Sequence, residues 1–410
     1  MLTAEGALVE EAAALREGKS SGWPMTPESK LVFELARTAP RPVPGGDLEA
    51  ITDWRRVLEL AAAENATVAL RDYLRSESAP SVPLEAQRFL AILALDRELR
   101  MNLLEKRLEE SLSALNAAGI DAMLLKGGAL ASTIYGSFAA RPMGDVDVLV
   151  PSERTDEARA LLRELGWAAD PALPGDQSYA AHHHLTPLVD TKANGPRLEI
   201  HRALAPLGHP FRFTAEEIYD EARVVKVGTA SALVMHPVHH AVHVAIHFAW
   251  SHMFSRGAWH AFRDLGALAA TPDFDWERFV SVARAWGAAS CCYWTLQLGR
   301  DLSGLPIPDG VLGRLRPRWP EFVRRALARH LANGIVSTSR VCPSVRLDQI
   351  LWTLAMRPRG DGHGSIRPWS VSQDLTLARS ARVREASPEP SGSASRRWRQ
   401  SALYLSRIIA

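Results

Sequence analysis

Apolar side chains recur at helical spacing through most of the chain before residue 119. Residues 50–78 carry this period, and Asp53 or Thr52 is placed to cap the N-terminus of a helix. Residues 84–118 predict a longer helix, which Gly119 ends. Its apolar stripe consists of Leu95, Leu99, Leu108, Leu112 and Leu115. We therefore expect a helical first region, preceded by a loosely attached lead-in.

Short apolar runs with strand character begin at residue 120. Residues 120–125 and 145–150 predict two strands, after which Ser152 caps a helix that Gly166 ends. The strand-like segments HHHLTPLVD and RLEIHRAL flank the turn-forming pair Asn194-Gly195, which predicts an antiparallel hairpin. From about residue 236 to residue 356 the apolar period is again helical. This order of elements predicts an α+β fold, in which helices surround a small mixed sheet.

Five regions follow from this order and from shifts in composition. They are a lead-in and linker at 1–48, a helical region at 49–118, a mixed-sheet core at 119–225, a helical domain at 226–356 and a flexible tail at 357–410. The last residues, RRWRQSALYLSRIIA, predict a basic amphipathic helix. Such a helix either docks on the protein body or contacts a membrane surface or a partner.

The composition is typical of a globular protein. Of the 410 residues 47% are hydrophobic and 23% are charged, and the formal net charge is +2. So small a charge argues mildly against a nucleic-acid partner, because phosphate neutralisation normally requires a basic surface. Three cysteines are too few for a disulfide framework, and no apolar run is long enough to cross a bilayer. The acidic N-terminus lacks the basic region of a signal peptide, so we expect a cytoplasmic protein.

The most distinctive polar residues lie between residues 123 and 150. Asp145 and Asp147 are two residues apart in a predicted strand, so their carboxylates share one face and repel each other unless a cation neutralises them. Hard divalent cations prefer such oxygen ligands. Gly127 and Gly128 follow the preceding apolar run and allow backbone N–H groups to approach an anion. The pattern indicates a site for phosphate and a divalent metal ion.

A third carboxylate would complete a two-metal site, in which one ion activates the attacking oxygen and the other steadies the leaving phosphate. Glu199 is the best candidate, because it lies among apolar neighbours in a predicted strand and its side chain would point away from them. An ordinary solvent-facing glutamate is the alternative interpretation of this residue.

These motifs, in this order, resemble those of the polymerase-β-like nucleotidyltransferase superfamily, and more narrowly its uncharacterised type 5 family. The resemblance rests on Leu125-Lys126-Gly127-Gly128-Ala129-Leu130, Tyr135, Arg141, Asp145-Val146-Asp147-Val148-Leu149-Val150 and Leu198-Glu199-Ile200-His201. It extends to the helix that begins at Asp53-Trp54, to the histidine-rich helix after residue 236 and to Arg263-Asp264-Leu265. It therefore covers about residues 50–300, and the core at 119–225 would be the nucleotidyltransferase core.

The resemblance implies transfer of a nucleoside monophosphate from a nucleoside triphosphate, with ATP as the expected donor and Mg²⁺ or Mn²⁺ as the cofactor. The implied catalytic and metal-binding residues are Asp145, Asp147 and Glu199. The implied nucleotide-binding residues are Lys126, Gly127, Gly128 and Arg141, which would hold and neutralise the phosphates. Two alternatives are a solvated Lys126 at a strand end and an ion pair between Arg141 and Asp145 or Asp147.

Histidines supply candidate contacts to the acceptor. In a strand, His182 and His184 would share one face, at an edge or in the substrate cleft. In the resembled family the histidine-rich helix packs beside the nucleotide site, which implies contacts to the acceptor or the base. A zinc site or ordinary core packing of this helix are the alternatives. The candidate acceptor or cleft residues are His184, His201, His243 and His247.

One departure from the superfamily separates two functional hypotheses. Gly-Ser is common where this chain has Gly127-Gly128, so a hydroxyl contact to phosphate is missing. The leading hypothesis is metal-dependent transfer of AMP to a hydroxyl of a small molecule or a protein, with release of pyrophosphate. The second is a non-catalytic nucleotide-binding or regulatory module, such as a toxin–antitoxin or biosynthetic accessory protein. Three converging acids favour the enzyme, because metal chemistry explains them readily.

Overall fold

A computed structural model of the chain describes residues 25–37, 50–75, 82–180, 182–192, 197–205, 208–336, 342–356 and 394–409. The fold is α+β, as predicted from the sequence, and consists of a seven-stranded mixed sheet with helices around it. Residues 1–24 and 38–48 of the predicted lead-in and linker at 1–48, and residues 357–393 of the predicted tail at 357–410, lie outside the described residues.

The strands of the sheet are β1 (Met123–Leu124), β2 (Asp145–Leu149), β3 (Trp167–Ala169), β4 (Leu188–Asp190), β5 (Arg197–His201), β6 (Arg223–Val227) and β7 (Ala230–Val234). They are hydrogen-bonded in the order β3-β4-β5-β2-β1-β7-β6. Strand β2 lies parallel to β5 and antiparallel to β1, so these three strands form the centre of the sheet. The predicted hairpin of β4 and β5 is confirmed, although its Asn194-Gly195 turn lies outside the described residues.

The helices before the sheet differ from the prediction in two respects. They are α1 (Pro27–Glu34), α2 (Trp54–Ala63), α3 (Thr67–Leu74) and α4 (Leu84–Ala117). The single helical stretch predicted at 50–78 is divided, because the backbone turns through Asn65 at a φ of 55°. The expectation of a loosely attached lead-in is wrong for α1, since the apolar run from Leu31 to Phe33 is buried in the core. Asp53 caps α2, accepting a hydrogen bond of 2.9 Å from the Arg56 N–H.

The long helix α4 has the predicted length but only part of the predicted apolar stripe. Leu108, Leu112 and Leu115 are buried with the apolar face of the sheet, whereas Leu95 and Leu99 are 54% and 61% exposed. Before Leu104, the buried side chains of α4 lie on a different row of the helix surface from Leu95 and Leu99. Those that fit an apolar row are Ala86, Leu90, Ala94 and Met101. The prediction followed the larger leucines and so chose the wrong row.

The remaining helices come after β1 in the chain. They are α5 (Lys126–Leu130, continued by a π-turn at Ala131–Tyr135), α6 (Thr155–Glu164), α7 (Ala215–Asp220), α8 (Pro237–Ile246, continued by a π-turn at His247–Ser251), α9 (Ala258–Ala269), α10 (Trp276–Ala285), α11 (Ala289–Ser303), α12 (Val311–Leu315), α13 (Glu321–Ile335), α14 (Val345–Met356) and α15 (Ala394–Ile409). Ser152 does not cap α6; a 3-10 turn at Ser152–Arg154 precedes it.

The terminal helix α15 docks on the body of the protein. Its Tyr404 and Ile408 side chains are 5% and 2% exposed, and Arg329 of α13 donates a hydrogen bond to the Ile408 carbonyl. The basic amphipathic pattern therefore reflects packing of one helix face. Among the helices in the described ranges, none combines the length and the apolar content that a membrane span requires.

Candidate active site

The carboxylates predicted to act together lie on adjacent central strands. In the parallel register of β2 and β5, Asp147 is directly opposite Glu199. Asp145 is two residues before Asp147 on β2 and therefore on the same face, while Val146 between them is buried in the core. The sheet thus brings Glu199 beside two aspartates that precede it by about fifty residues in the sequence.

The side chains of Lys126 and His201 hold Asp147. The Lys126 Nζ and the His201 Nε2 atoms each lie 2.8 Å from the Asp147 Oδ1 atom. Burial by itself would raise the pKa of Asp147, but the Lys126 charge and the hydrogen bond from His201 hold it well below its ordinary value. Burial likewise opposes the charge on His201, yet its bonds to Asp147 and Glu199 raise the pKa of the imidazole. The floor of the site is therefore a charged network, with 3% of Asp147 exposed.

The other two acids differ in their surroundings. Asp145 starts β2 and part of its surface is exposed. Partial loss of hydration at its carboxylate, together with repulsion from Asp147 and Glu199, raises its pKa to about 7. Burial opposes ionisation of Glu199, but the hydrogen bond from His201 lowers the pKa below its ordinary value. The Glu199 Oε2 atom lies 3.5 Å from the His201 Nε2 atom. A negative site with one easily protonated member results, as expected for clustered carboxylates.

The glycine turn packs closely against β2 and Arg141. Lys126 begins α5 with a φ of 45°, which directs its side chain back to Asp147. A Cβ atom on Gly128 would lie 2.9 Å from the Val146 Cγ2 atom, and one on Gly127 would lie 3.3 Å from the Arg141 Nη1 atom. A side chain is therefore excluded at position 128, whereas at position 127 it would require Arg141 to shift by a few tenths of an ångström.

Arg141 has a different ionic partner from those considered in the sequence analysis. Its Nε and Nη2 atoms lie 2.9 Å and 2.7 Å from the two carboxylate oxygens of Asp264, and its Nη1 donates to the Pro142 carbonyl. Both charged side chains are buried, and the Tyr135 hydroxyl also donates to Asp264. The expected alternative pairing with Asp145 or Asp147 is wrong, because α9 supplies the nearer acid. Its predicted contact with phosphate stays a prediction.

The predicted histidines gather around the same network from two directions. The His184 ring centroid lies 5.3 Å from that of His201. On α8, His243 is buried, and its ring centroid lies 6.4 Å from that of His247. Burial, followed by the Lys126 charge, lowers the pKa of both α8 imidazoles well below the ordinary value. The structure therefore places neutral imidazoles beside the charged floor.

Two further histidines were missed by sequence reasoning. The ring of His183 meets that of His201 edge to face, with 5.1 Å between their centroids, and the ring centroid of His252 lies 4.2 Å from that of His247. Strand alternation assigned His182 and His184 to one face, but this segment forms only an isolated bridge at His184, so alternation does not apply. A turn places His183 inward.

The residues fit a divalent cation. Asp147, Glu199 and His201 each offer a ligand atom within 4.8 Å of the others. The predicted set had Asp145 in place of His201, and Asp145 lies on the same face of β2, at its solvent-exposed end. Two carboxylates and an imidazole are a familiar ligand combination for divalent metals. The ligand role of Asp145 stays a prediction, since its carboxylate is not part of this group.

Comparison with known proteins agrees with this arrangement. No curated protein and no solved structure matches the chain. The sequence model of the family described as uncharacterised nucleotidyltransferases matches residues 51–304, which include the sheet, the acids and the histidine-bearing helix α8. The resemblance noted in the sequence is thereby confirmed, and the chain belongs to this family of nucleotidyltransferases.

Proposed function

We propose that the protein transfers a nucleoside monophosphate, AMP from ATP in the first instance, to a hydroxyl group of a small molecule or a protein. The single observation that carries this proposal is the register of β2 and β5, which sets Asp147 opposite Glu199 with Asp145 on the same face. Three carboxylates on one face of a sheet repel one another unless cations neutralise them. Divalent metal ions would do so, and they would also bind the phosphates of a nucleoside triphosphate.

Each residue of the network has a distinct part in the proposal. Asp145, Asp147 and Glu199 would hold Mg²⁺ or Mn²⁺, which would supply positive charge for the triphosphate and for the acceptor oxygen. Lys126 lies against Asp147 and would move little to bind a phosphate oxygen. Glu199 is the acid placed to accept a proton or a hydrogen bond from the acceptor hydroxyl. Gly127 and Gly128 lie in the first turn of α5, where backbone N–H groups have no partner within the helix. These N–H groups would donate hydrogen bonds to phosphate oxygens.

The histidines indicate what kind of acceptor the site would receive. Lys126, which contacts Asp147, would supply positive charge for a phosphate oxygen. The neutral imidazoles of His243 and His247 favour uncharged polar partners, such as hydroxyl groups or a nucleobase. The His184 Nε2 atom lies 3.9 Å from the Glu199 Oε2 atom, so a third histidine borders the acids. These histidines favour an uncharged acceptor that carries a hydroxyl group.

The proposal is tested with the purified full chain and each of the four α-labelled nucleoside triphosphates. Incubation with Mg²⁺ or Mn²⁺, with and without cell extract, should give one labelled product and pyrophosphate, with ATP as the best donor. A third measurement, metal-dependent nucleotide binding, separates a binding module from an enzyme. Binding without product under every condition would favour the second hypothesis, and absence of both would contradict nucleotide use altogether.

The missing serine no longer favours the second hypothesis as strongly. A serine at position 128 would place its Cβ 2.9 Å from Val146, a short side chain fixed in a buried strand. The glycine therefore has a packing reason that is independent of activity, and a backbone amide remains available at that position.

Replacing Gly128 with serine should lower the free energy of unfolding by about 1–3 kcal/mol, because the core is overpacked at this contact. The measurement is urea denaturation of Gly128→Ser beside Gly313→Ser, a control at a position where an added Cβ meets nothing within 4 Å. Combining Gly128→Ser with Val146→Ala should recover part of the loss. A Gly128→Ser protein as stable as the wild type would show that the contact is not restrictive.

A further inference from the structure

A second cluster of ligand-type side chains lies outside the matched range 51–304. The cluster consists of His330 on α13, Asp348 on α14 and Cys342, which precedes α14. Each of these residues offers a ligand atom within 4.8 Å of the others. The three residues are 3%, 5% and 5% exposed. Burying an imidazole, a thiol and a carboxyl group together is unfavourable, because polar groups lose hydration on burial. The cluster shares no residue with the candidate active site.

The geometry of His330 indicates why these groups meet. Its Nε2 atom lies 3.3 Å from the Asp348 Oδ1 atom, yet it forms no hydrogen bond in the structure. Buried polar atoms in folded proteins are nearly always hydrogen-bonded, so this nitrogen calls for a partner. Nitrogen and oxygen ligands at normal distances from a tetrahedral zinc ion are about 3.3–3.4 Å apart. The spacing is therefore that of two ligands which point at a common ion.

Tyr404 orients the imidazole of His330 from the opposite side. The His330 Nδ1 atom lies 2.8 Å from the Tyr404 hydroxyl oxygen, and Tyr404 is buried on α15. When Nδ1 donates its proton to this oxygen, Nε2 carries the lone pair and faces the cluster. Metal-binding histidines are commonly held in this way by a hydrogen bond at the other ring nitrogen.

We propose that His330, Cys342 and Asp348 bind one Zn²⁺ ion in a structural role, with a water molecule as the fourth ligand of the tetrahedron. A thiolate with an imidazole and a carboxylate suits zinc, whereas Mg²⁺ and Ca²⁺ prefer oxygen ligands alone. In binding the ion, the Cys342 thiol gives up the proton that it donates to the Ser344 carbonyl at 3.5 Å. The ion ties α13 to α14, and through Tyr404 it also ties α15 to the body of the protein.

The test uses the purified full chain and Co²⁺ as a spectroscopic probe for Zn²⁺. The wild type should retain about one equivalent of zinc, and its cobalt form should show a thiolate-to-cobalt charge-transfer band. Cys342→Ala should remove the band, whereas Cys292→Ala, which deletes another buried free thiol, should keep it. Tyr404→Phe should weaken zinc binding about 10–100-fold through loss of the hydrogen bond to His330.

The outcomes separate this site from the candidate active site. Asp147→Asn should leave the thiolate band unchanged, because that site contains no cysteine. A folded Cys342→Ala protein that keeps the band would overturn the proposal, as would a wild type without any band. If Cys342→Ala does not fold, the wild type decides: chelation should lower its Tm and added Zn²⁺ should restore it, and an unchanged Tm would contradict a structural ion.

Discussion

Asp147→Asn should reduce nucleotidyl transfer by at least about 100-fold, because loss of one charged ligand removes several kcal/mol of transition-state stabilisation. Asparagine has nearly the same shape as aspartate, so the volume at this buried position is preserved. The change removes the one carboxylate that Lys126 and His201 both contact. The measurement is the rate of labelled product formation with the donor that the nucleotide screen identifies.

The matched control is Asp156→Asn, which changes an exposed aspartate in the first turn of α6 and should leave the rate unchanged. Circular dichroism and Tm establish that both variants are folded. The His201 imidazole provides a second readout, since its raised pKa depends in part on Asp147 and should fall in Asp147→Asn. A folded variant that keeps more than about half of the wild-type rate would contradict a catalytic role for Asp147.

The sequence was informative where a pattern is local. Alternation along β2 placed Asp145 and Asp147 on one face, and the apolar neighbours of Glu199 identified a strand. These patterns depend only on residues a few positions apart, so the strand faces they predict do not depend on how distant elements pack. The length of α4 and its glycine stop were predicted for the same reason.

Contacts between distant elements were not accessible from the sequence. Nothing local indicates that Asp264, more than a hundred residues after Arg141, is its ionic partner, although Arg263-Asp264-Leu265 had been noted as part of the family pattern. The same holds for His201, whose neighbour Glu199 was chosen as a ligand while its own ring reaches Asp147. Such pairings are set by the packing of α9 and by the register of β5, and periodicity describes neither.

The partner of Arg141 leads to the largest expected effect on stability. Arg141→Ala should lower the free energy of unfolding by about 3–5 kcal/mol, because it leaves the Asp264 carboxylate buried without its counter-charge. Both side chains are at least nine-tenths buried, and Asp264 then retains only the hydrogen bond from Tyr135 among the contacts described here. The measurement is urea denaturation, with Arg55→Ala as control; Arg55 forms an exposed pair with Glu59 and should cost no more than about 1 kcal/mol.

The double variant Arg141→Met/Asp264→Leu distinguishes a supporting role from a direct contact with phosphate. Apolar side chains of similar size often replace a buried ion pair without loss of stability, so the double variant should be markedly more stable than Arg141→Ala. If Arg141 acts by supporting the turn at Gly127, nucleotide binding should recover together with stability, because the packing under the turn is restored. Recovered stability with nucleotide affinity still reduced more than about tenfold would instead assign the guanidinium a phosphate contact, as the sequence predicted, since each tenfold loss of affinity corresponds to about 1.4 kcal/mol of binding free energy.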